Sequence, residues 1–573
     1  MSRPIIPVQN PRKILLTLVL LWTCVGPAFA ADPAAVRSPR GMVVSPEAHA
    51  SHVGAAVLDA GGTAADAAVA VALALAVTNP QSGNLGGGGF LLYRDADGHP
   101  TALDFREVAP AALTPDLFLD DSGRPVPGLS LETGLAVGVP GSVAGLTEIH
   151  RRWGVLPWKR LVEPAIELAR DGFIVYPDLE RAFKSAEKRL RLSEEARRIF
   201  FPSGALPRAG DVLKQPDLAA SLERIAQNGR QGFYRGPIAD ALVRTVRARG
   251  GVLEHGDLEA YRTVEREPVR GTYHGYRIVS FPPPSSGGVV LLQMLGMLEH
   301  FELKDGYGAS RTIHLMAEIQ RRAYADRSKW LGDPDHYEVP ADGLLAPDYV
   351  ESRAATIDLD RATASSEILP GTPSPDLHDT LHLSVTDHAG RAVSLTTTLN
   401  TSFGSGLVAA GTGILLNNEI DDFSLAPGEP NTYGLVGGEA NAVRPLKRPL
   451  SSMAPTIVEY PEPRARPFLV LGSPGGGRII NSVFQVLVNM IDHEMPLQAA
   501  VNAPRIHHQW LPDLIYYERR ALPADVRRAL HALGHSLATR ERIGNVNAIG
   551  VDTQGDWLGA ADPRKGGTAV GQR

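Results

Sequence analysis

A globular fold mixing helices with sheet is predicted by three observations. Residues 130–350 alternate amphipathic helical patterns with short loops. After Thr380 the pattern changes to period-two strands. A hydrophobic content of 43% with 21% charged residues fits a soluble chain with a substantial core. The length of 573 residues is compatible with several ordinary domains or with one large layered α/β unit. A net charge of −6 and a pI near 6.3 give no electrostatic footprint for nucleic acid, so small solutes are the expected partners.

The N-terminus has the layout of a secretory signal. Arg12 and Lys13 precede an apolar run from Ile14 to Val25, and Ala28-Phe29-Ala30 supplies the small residues of a cleavage site. Residues 1–30 are therefore expected to be removed and the protein to be periplasmic or secreted. The alternative is an uncleaved anchor, for which the apolar run is short. The only cysteine, Cys24, lies in this segment, so a processed chain has no thiol. Disulfides, zinc–cysteine sites and cysteine catalysis are excluded together.

Alanine-rich helices are predicted at 46–60 and 63–77, separated by Gly61-Gly62. Gly83-Asn84-Leu85-Gly86-Gly87-Gly88-Gly89 lacks the lysine and hydroxyl of a phosphate loop, and reads as close backbone packing ahead of a strand at 90–94. Further helices are predicted at 158–170, 216–227, 238–248 and 312–327. Pro282-Pro283-Pro284-Ser285-Ser286-Gly287-Gly288 forms a rigid turn into a helix, its serines placed either to cap that helix or to touch a substrate. Residues 366–379 are rich in Pro, Ser, Thr and Asp, the composition of an exposed, cleavable loop.

From Thr380, His382, Ser384 and Thr386 alternate with Leu381, Leu383 and Val385, and the alternation resumes over 392–400. A two-residue turn would set Leu383 against Ser394. A three-residue loop, His388-Ala389-Gly390, with Gly390 in the left-handed conformation, pairs Leu383 with Leu395 and Val385 with Val393. The second register keeps each face uniform and places Thr380 opposite Thr398, with Cβ atoms roughly 5 Å apart.

A threonine at a new N-terminus carries its own base. Its hydroxyl is a poor nucleophile within a chain, but a free α-amino group, with a reference pKa of about 7.7–8.0, can take the hydroxyl proton. Cleavage between Asp379 and Thr380 would create such a residue. Downstream stand Thr397-Thr398-Leu399-Asn400, Asn417-Asn418-Glu419-Ile420-Asp421-Asp422-Phe423, Arg448-Pro449-Leu450-Ser451-Ser452-Met453 and Gly472-Ser473-Pro474-Gly475-Gly476-Gly477-Arg478. In this order and spacing the chain resembles the γ-glutamyltransferases, self-processing members of the N-terminal-nucleophile hydrolase superfamily.

That resemblance implies an α+β fold, a four-layer αββα sandwich built jointly by a large subunit, 31–379, and a small subunit, 380–573, which pair as a heterodimer. It implies Thr380 as nucleophile, Thr398 hydrogen-bonding its hydroxyl, and Gly475 and Gly476 offering amides to an oxyanion. It assigns Arg106 to the α-carboxylate of a γ-glutamyl group with help from Ser451 and Ser452. Asn400, Glu419 and Asp422 would receive the α-ammonium. Residues 427–438 resemble a substrate lid with Tyr433 at its tip. The implied activity is transfer of the γ-glutamyl group of glutathione and related amides to water or amino-acid acceptors, without cofactor.

The alternatives are a cephalosporin or glutaryl acylase of the same fold, and a catalytically silent binding protein. No metal is expected: His378 and His382 lie about 13 Å apart in extended chain, and His507-His508 reads as structural. The chain departs from the family pattern at Leu381, where a hydroxyl residue is common, at Glu419, where glutamine is frequent, and at Gly477, where serine is common. The loss of a hydroxyl at Leu381 is expected to slow processing.

Overall fold

The computed structural model describes residues 34–368, 380–426, 438–461 and 466–573. The expected signal segment, the bond before Thr380, His378 and Tyr433 lie outside these.

Among the described residues, fourteen strands make two seven-stranded sheets. In chain order they are β1 (Val36–Ser38), β2 (Met42–Ser45), β3 (Gly88–Arg94), β4 (Pro100–Asp104), β5 (Val264–Arg266), β6 (Val269–Tyr273), β7 (Tyr276–Ser280), β8 (Thr380–Thr386), β9 (Ala392–Thr398), β10 (Thr456–Glu459), β11 (Pro467–Gly472), β12 (Asn547–Val551), β13 (Trp557–Ala561) and β14 (Thr568–Gly571). One sheet runs β14-β2-β8-β9-β3-β4-β5 and the other β1-β13-β12-β11-β10-β7-β6. Their pairings are antiparallel, and both sheets mix strands from before and after Thr380. This is the predicted α+β sandwich.

Pairing of β8 with β9 follows the predicted register: Leu383 faces Leu395, Val385 faces Val393, and Thr380 faces Thr398. Gly390 has φ +79°, the left-handed conformation the three-residue loop requires. Buried Asp387 closes this loop. It accepts from the amides of Ala389 and Arg391 and the guanidinium of Arg391, and also from the amide of Ala64 at the start of a helix.

That helix, α2 (Ala64–Thr78), follows α1 (Ala48–Asp59) and is buried along all fifteen residues. Alanine gives it high helix propensity, and the reciprocal Thr63–Asp66 capping box satisfies its first amides. Leu381, Leu383, Val385, Val393 and Leu395 pack in the same core as its apolar side chains.

The opposite, polar face of β8 and β9 is buried as well, which alternation alone does not reveal. It meets the second sheet, and its hydroxyls are satisfied there. The Ser384 hydroxyl has the carbonyls of Asn547 and Val470 as acceptors for its one proton, Ser394 donates to the carbonyl of Leu471, and Asn547 donates to the carbonyl of His382. Beyond the second sheet, α3 (Gly287–Leu298), α4 (Ser310–Trp330) and α5 (Arg478–Ile491) complete the fourth layer.

The predicted helices at 158–170, 216–227, 238–248 and 312–327 are present within a residue or three of their expected ends. Within the stretch read as helical, however, β5–β7 lie at residues 264–280. The β6–β7 hairpin turns through His274 and Gly275, both at positive φ, in a segment too short and charged to show clear alternation. The glycine-rich loop packs as expected: a Cβ on Gly87 would lie 2.0 Å from the carbonyl oxygen of Thr398.

Three buried histidines make the fold acid-sensitive. Burial pushes the imidazoles of His382 and His535 down to about 3 and that of His508 to about 4, from 6.5. Each stays neutral when folded and charges when unfolded, so the unfolded state binds more protons between about pH 4 and 6.5. These three imidazoles favour the folded state as pH rises across that window and together add about three protons to the uptake on unfolding near pH 5, whereas Glu107, whose carboxyl is raised by burial, acts in the opposite sense. His382→Asn should remove about one proton from this slope, read from unfolding midpoints between about pH 4.5 and 7.5; an unchanged slope contradicts the assignment.

Candidate functional site

Thr380 opens β8 at the edge of a small cavity that also holds Arg106, Thr398, Glu419, Asp422, Ser451, Ser452, Met453, Gly476 and Ile479. Eight of these ten are predicted site residues. Met453 and Ile479 are additions that supply an apolar wall, and as ordinary hydrophobics they carry no sequence signal.

The strand pairing sets one end of the cavity. Thr380 is 4% exposed and its hydroxyl lies 3.4 Å from that of Thr398. The Thr398 hydroxyl also accepts from the amide of Asn400 at 2.8 Å. Asn400 leaves the strand at φ +74°, a conformation asparagine tolerates better than most residues, and donates its side-chain amide to the carbonyl of Asn418. That bond ties the end of β9 to the segment bearing Glu419 and Asp422.

Gly475 and Gly476 form the turn between β11 and α5, at φ +133° and +65°, where a side chain would be strained. Leu381 projects from the other face of β8 into the helical core, so a hydroxyl there would point away from the cavity. Gly477 accepts from the Tyr324 hydroxyl through its carbonyl, an interaction independent of side-chain identity.

Arg106 dominates the charged end. It follows β4, whose Asp104 caps its amide and binds Arg266. The guanidinium is 1% exposed and donates to Glu419, Asp422 and the carbonyls of Pro449 and Leu450. Burial acts to lower its pKa, but the carboxylates of Glu419, Asp422 and Glu107 reverse this and raise it. Glu107, buried 3.7 Å from the guanidinium, is a residue that sequence reasoning missed. Burial pushes its carboxyl well above the ordinary range despite the nearby arginine. A carboxyl beside an arginine in sequence reads as surface charge, so nothing local announces it.

With Arg106 closed onto two carboxylates, the cavity has room for about one water molecule, roughly 10 Å³. An amino-acid zwitterion matches these groups: its carboxylate can replace the acids on Arg106 while its ammonium takes up the acids so released.

Several other histidines are hydrogen-bonded within the core. His382 bonds the hydroxyls of Thr396 and Ser384 between the sheets, and His507 bonds Asn481 and Gln509. His314, Glu318 and His535 converge, but Glu318 is bound by Arg321 and Arg322, which supply its countercharge.

The gamma-glutamyltranspeptidase family model matches residues 50–572. The chain is 48% identical to a glutathione hydrolase proenzyme of Escherichia coli (strain K12), over 96% of this chain and 97% of that protein. Its fold is similar to a cephalosporin acylase from Bacillus halodurans, with a TM-score of 0.83 and 29% identity over 96% of this chain and 99% of that one. It is also similar to a gamma-glutamyltranspeptidase chain from Helicobacter pylori, with a TM-score of 0.56 and 41% identity over 60% of this chain and 96% of that one. The sequence thus belongs to the gamma-glutamyltranspeptidase family.

Proposed function

We propose that this protein is a self-processing γ-glutamyltransferase and glutathione hydrolase with Thr380 as nucleophile. The observation that carries the reading is a single cavity in which Thr380, Thr398 and Gly476 lie with Arg106 between Glu419 and Asp422. One end can attack a carbonyl. The other matches an amino acid's charges.

In processing, the Thr380 hydroxyl attacks the carbonyl of Asp379. The peptide C–N bond breaks as an ester forms, and water cleaves the ester. The Asp379 carboxylate and the Thr380 amine are released, giving a large subunit of 31–379 and a small one of 380–573. Both sheets draw strands from either side of the cut, which supports a pair that stays together.

In turnover, the new amine takes the hydroxyl proton as Thr380 Oγ1 bonds to the γ-carbonyl carbon of the donor. The Gly475 and Gly476 turn is suited to receive the oxyanion, a contribution of about 3–4 kcal/mol at comparable sites. Collapse expels the amine of the leaving group, which takes up the proton, and leaves an acyl-threonine. Water or an acceptor amine then attacks the ester and restores Thr380. Arg106, Ser451 and Ser452 would hold the donor α-carboxylate, and Asn400, Glu419 and Asp422 its ammonium. Tyr433 is placed over this site only by the family resemblance.

An exported location fits the N-terminal sequence, and no helix among the described residues is long and apolar enough to cross a membrane. The similarity to a cephalosporin acylase raises a second reading, a glutaryl acylase. Glu419 and Asp422 favour the first: a glutaryl chain has no amine for the carboxylates it would displace from Arg106.

Thr380→Ala should remain a single uncut chain on denaturing electrophoresis and release no chromophore from a γ-glutamyl anilide; an uncut yet active variant contradicts the scheme. Asp422→Ala should raise KM for γ-glutamyl anilide by about tenfold or more while affecting a glutaryl anilide less, narrowing the preference between them. Equal effects on both donors, or wild-type turnover confined to the glutaryl compound, would favour the acylase.

A further inference from the structure

We propose that Arg327, which the family resemblance leaves unassigned here, is a positioning residue that turns the Ser452 hydroxyl toward the donor's α-carboxylate. The inference rests on the reading above and deepens its donor site.

Arg327 lies near the end of α4 and is 4% exposed. Its Nε donates to the Ser286 hydroxyl and its Nη2 to the Ser452 hydroxyl, both at 2.8 Å. Among the described residues it makes no ion pair. Buried arginines elsewhere in this chain, such as Arg94, Arg106 and Arg505, face carboxylates. A buried cation spent on two neutral hydroxyls is costly unless its charge is used.

Hydrogen-bond chemistry then sets the direction of each hydroxyl. A guanidinium is donor-only, whereas a serine oxygen both accepts and donates one proton. The Ser286 oxygen that accepts from Arg327 donates to the Ser451 carbonyl at 2.7 Å. The Ser452 oxygen likewise offers a lone pair to Arg327, so its proton must point elsewhere. Ser452 lines the cavity shared with Arg106, and an anion bound there is the acceptor that proton can serve. Polarised by the cation behind it, the hydroxyl is a stronger donor.

The surrounding loop holds this arrangement. Pro284 accepts from the amide of Ser451, the amide of Ser286 donates to the Ser451 carbonyl, and the Ser285 hydroxyl donates to the Met453 carbonyl. A Cβ on Gly287 would lie 2.3 Å from that same carbonyl, so the close approach depends on glycine. The Pro-Pro-Pro-Ser-Ser-Gly-Gly turn thus does not line the cavity, and at its helix start the Ser285 hydroxyl accepts from the amide of Gly287 at 3.2 Å. The turn clamps the Ser451–Met453 segment, with Arg327 fixing one hydroxyl within it. Arg327 also places a second positive charge behind a site lined by Glu419 and Asp422.

The test is a double-substitution cycle read by steady-state kinetics on a γ-glutamyl anilide, using full-length protein confirmed to have matured into two chains. Arg327→Met should raise donor KM about tenfold with kcat changed less than about threefold. In a Ser452→Ala background the same substitution should change KM less than about twofold, because the hydroxyl it orients is gone. Arg327→Lys, which keeps charge and donors, should mature and fall between wild type and Arg327→Met. Additive KM effects, loss of kcat at unchanged KM, or failure of both Arg327 variants to mature would each overturn the proposal and leave Arg327 as a structural residue. A Ser452→Ala enzyme with wild-type donor KM would instead sink the carboxylate reading of Ser452 and this inference with it.

Discussion

The antiparallel pairing of β8 with β9 is the constraint on which the rest of the site depends. Period-two geometry allows no partial error: a slip of one residue would send the apolar face of β8 into the sheet–sheet interface and its polar face into the helical core. The register is held by apolar pairs on one face, by hydroxyls satisfied across the sheets on the other, and by Asp387 closing the turn. Thr380 meets Thr398 because the whole hairpin is locked. On the proposed reading, a nucleophile at the first position of such a strand would inherit its precision from a rigid element.

Charge is the second organising theme. Arg106 and its three neighbouring carboxyls are almost wholly excluded from water, an arrangement that is costly for stability alone. It becomes intelligible if the empty site stores its own countercharges and exchanges them for those of a zwitterion. The segment 447–453 lies at the centre of this exchange: its carbonyls hold Arg106, its serines face the cavity, and loop 282–286 braces it from behind.

Much of the fold was legible because its signals are local. Gly390 and the alternating hydrophobics decide the register, and Gly61-Gly62 separates the first two helices. The hairpin β6–β7 was not legible, since a short, partly exposed strand pair carries little hydrophobic alternation. Nor was the burial of His382 and Ser384, because period two tells which residues share a face and not what covers it. At the site, the Thr380–Thr398 pairing followed from residue patterns alone. Arg106, Asn400, Glu419, Asp422, Ser451 and Ser452 emerged only through family resemblance, and the structure brings all but Asn400 into one cavity. Glu107 and Arg327 escaped because a single charged residue has no periodicity to betray burial. Asp379 and Tyr433 fall outside the described residues.

The central claim is that a bared threonine amine and hydroxyl do the chemistry. Its most direct test is to incubate the matured protein briefly with a γ-glutamyl anilide, quench in acid, and sequence and weigh the smaller chain by mass spectrometry. The account predicts a chain beginning at Thr380 that carries a γ-glutamyl ester on that residue. A different N-terminus, or an acyl group found on another side chain of an active enzyme, would contradict it.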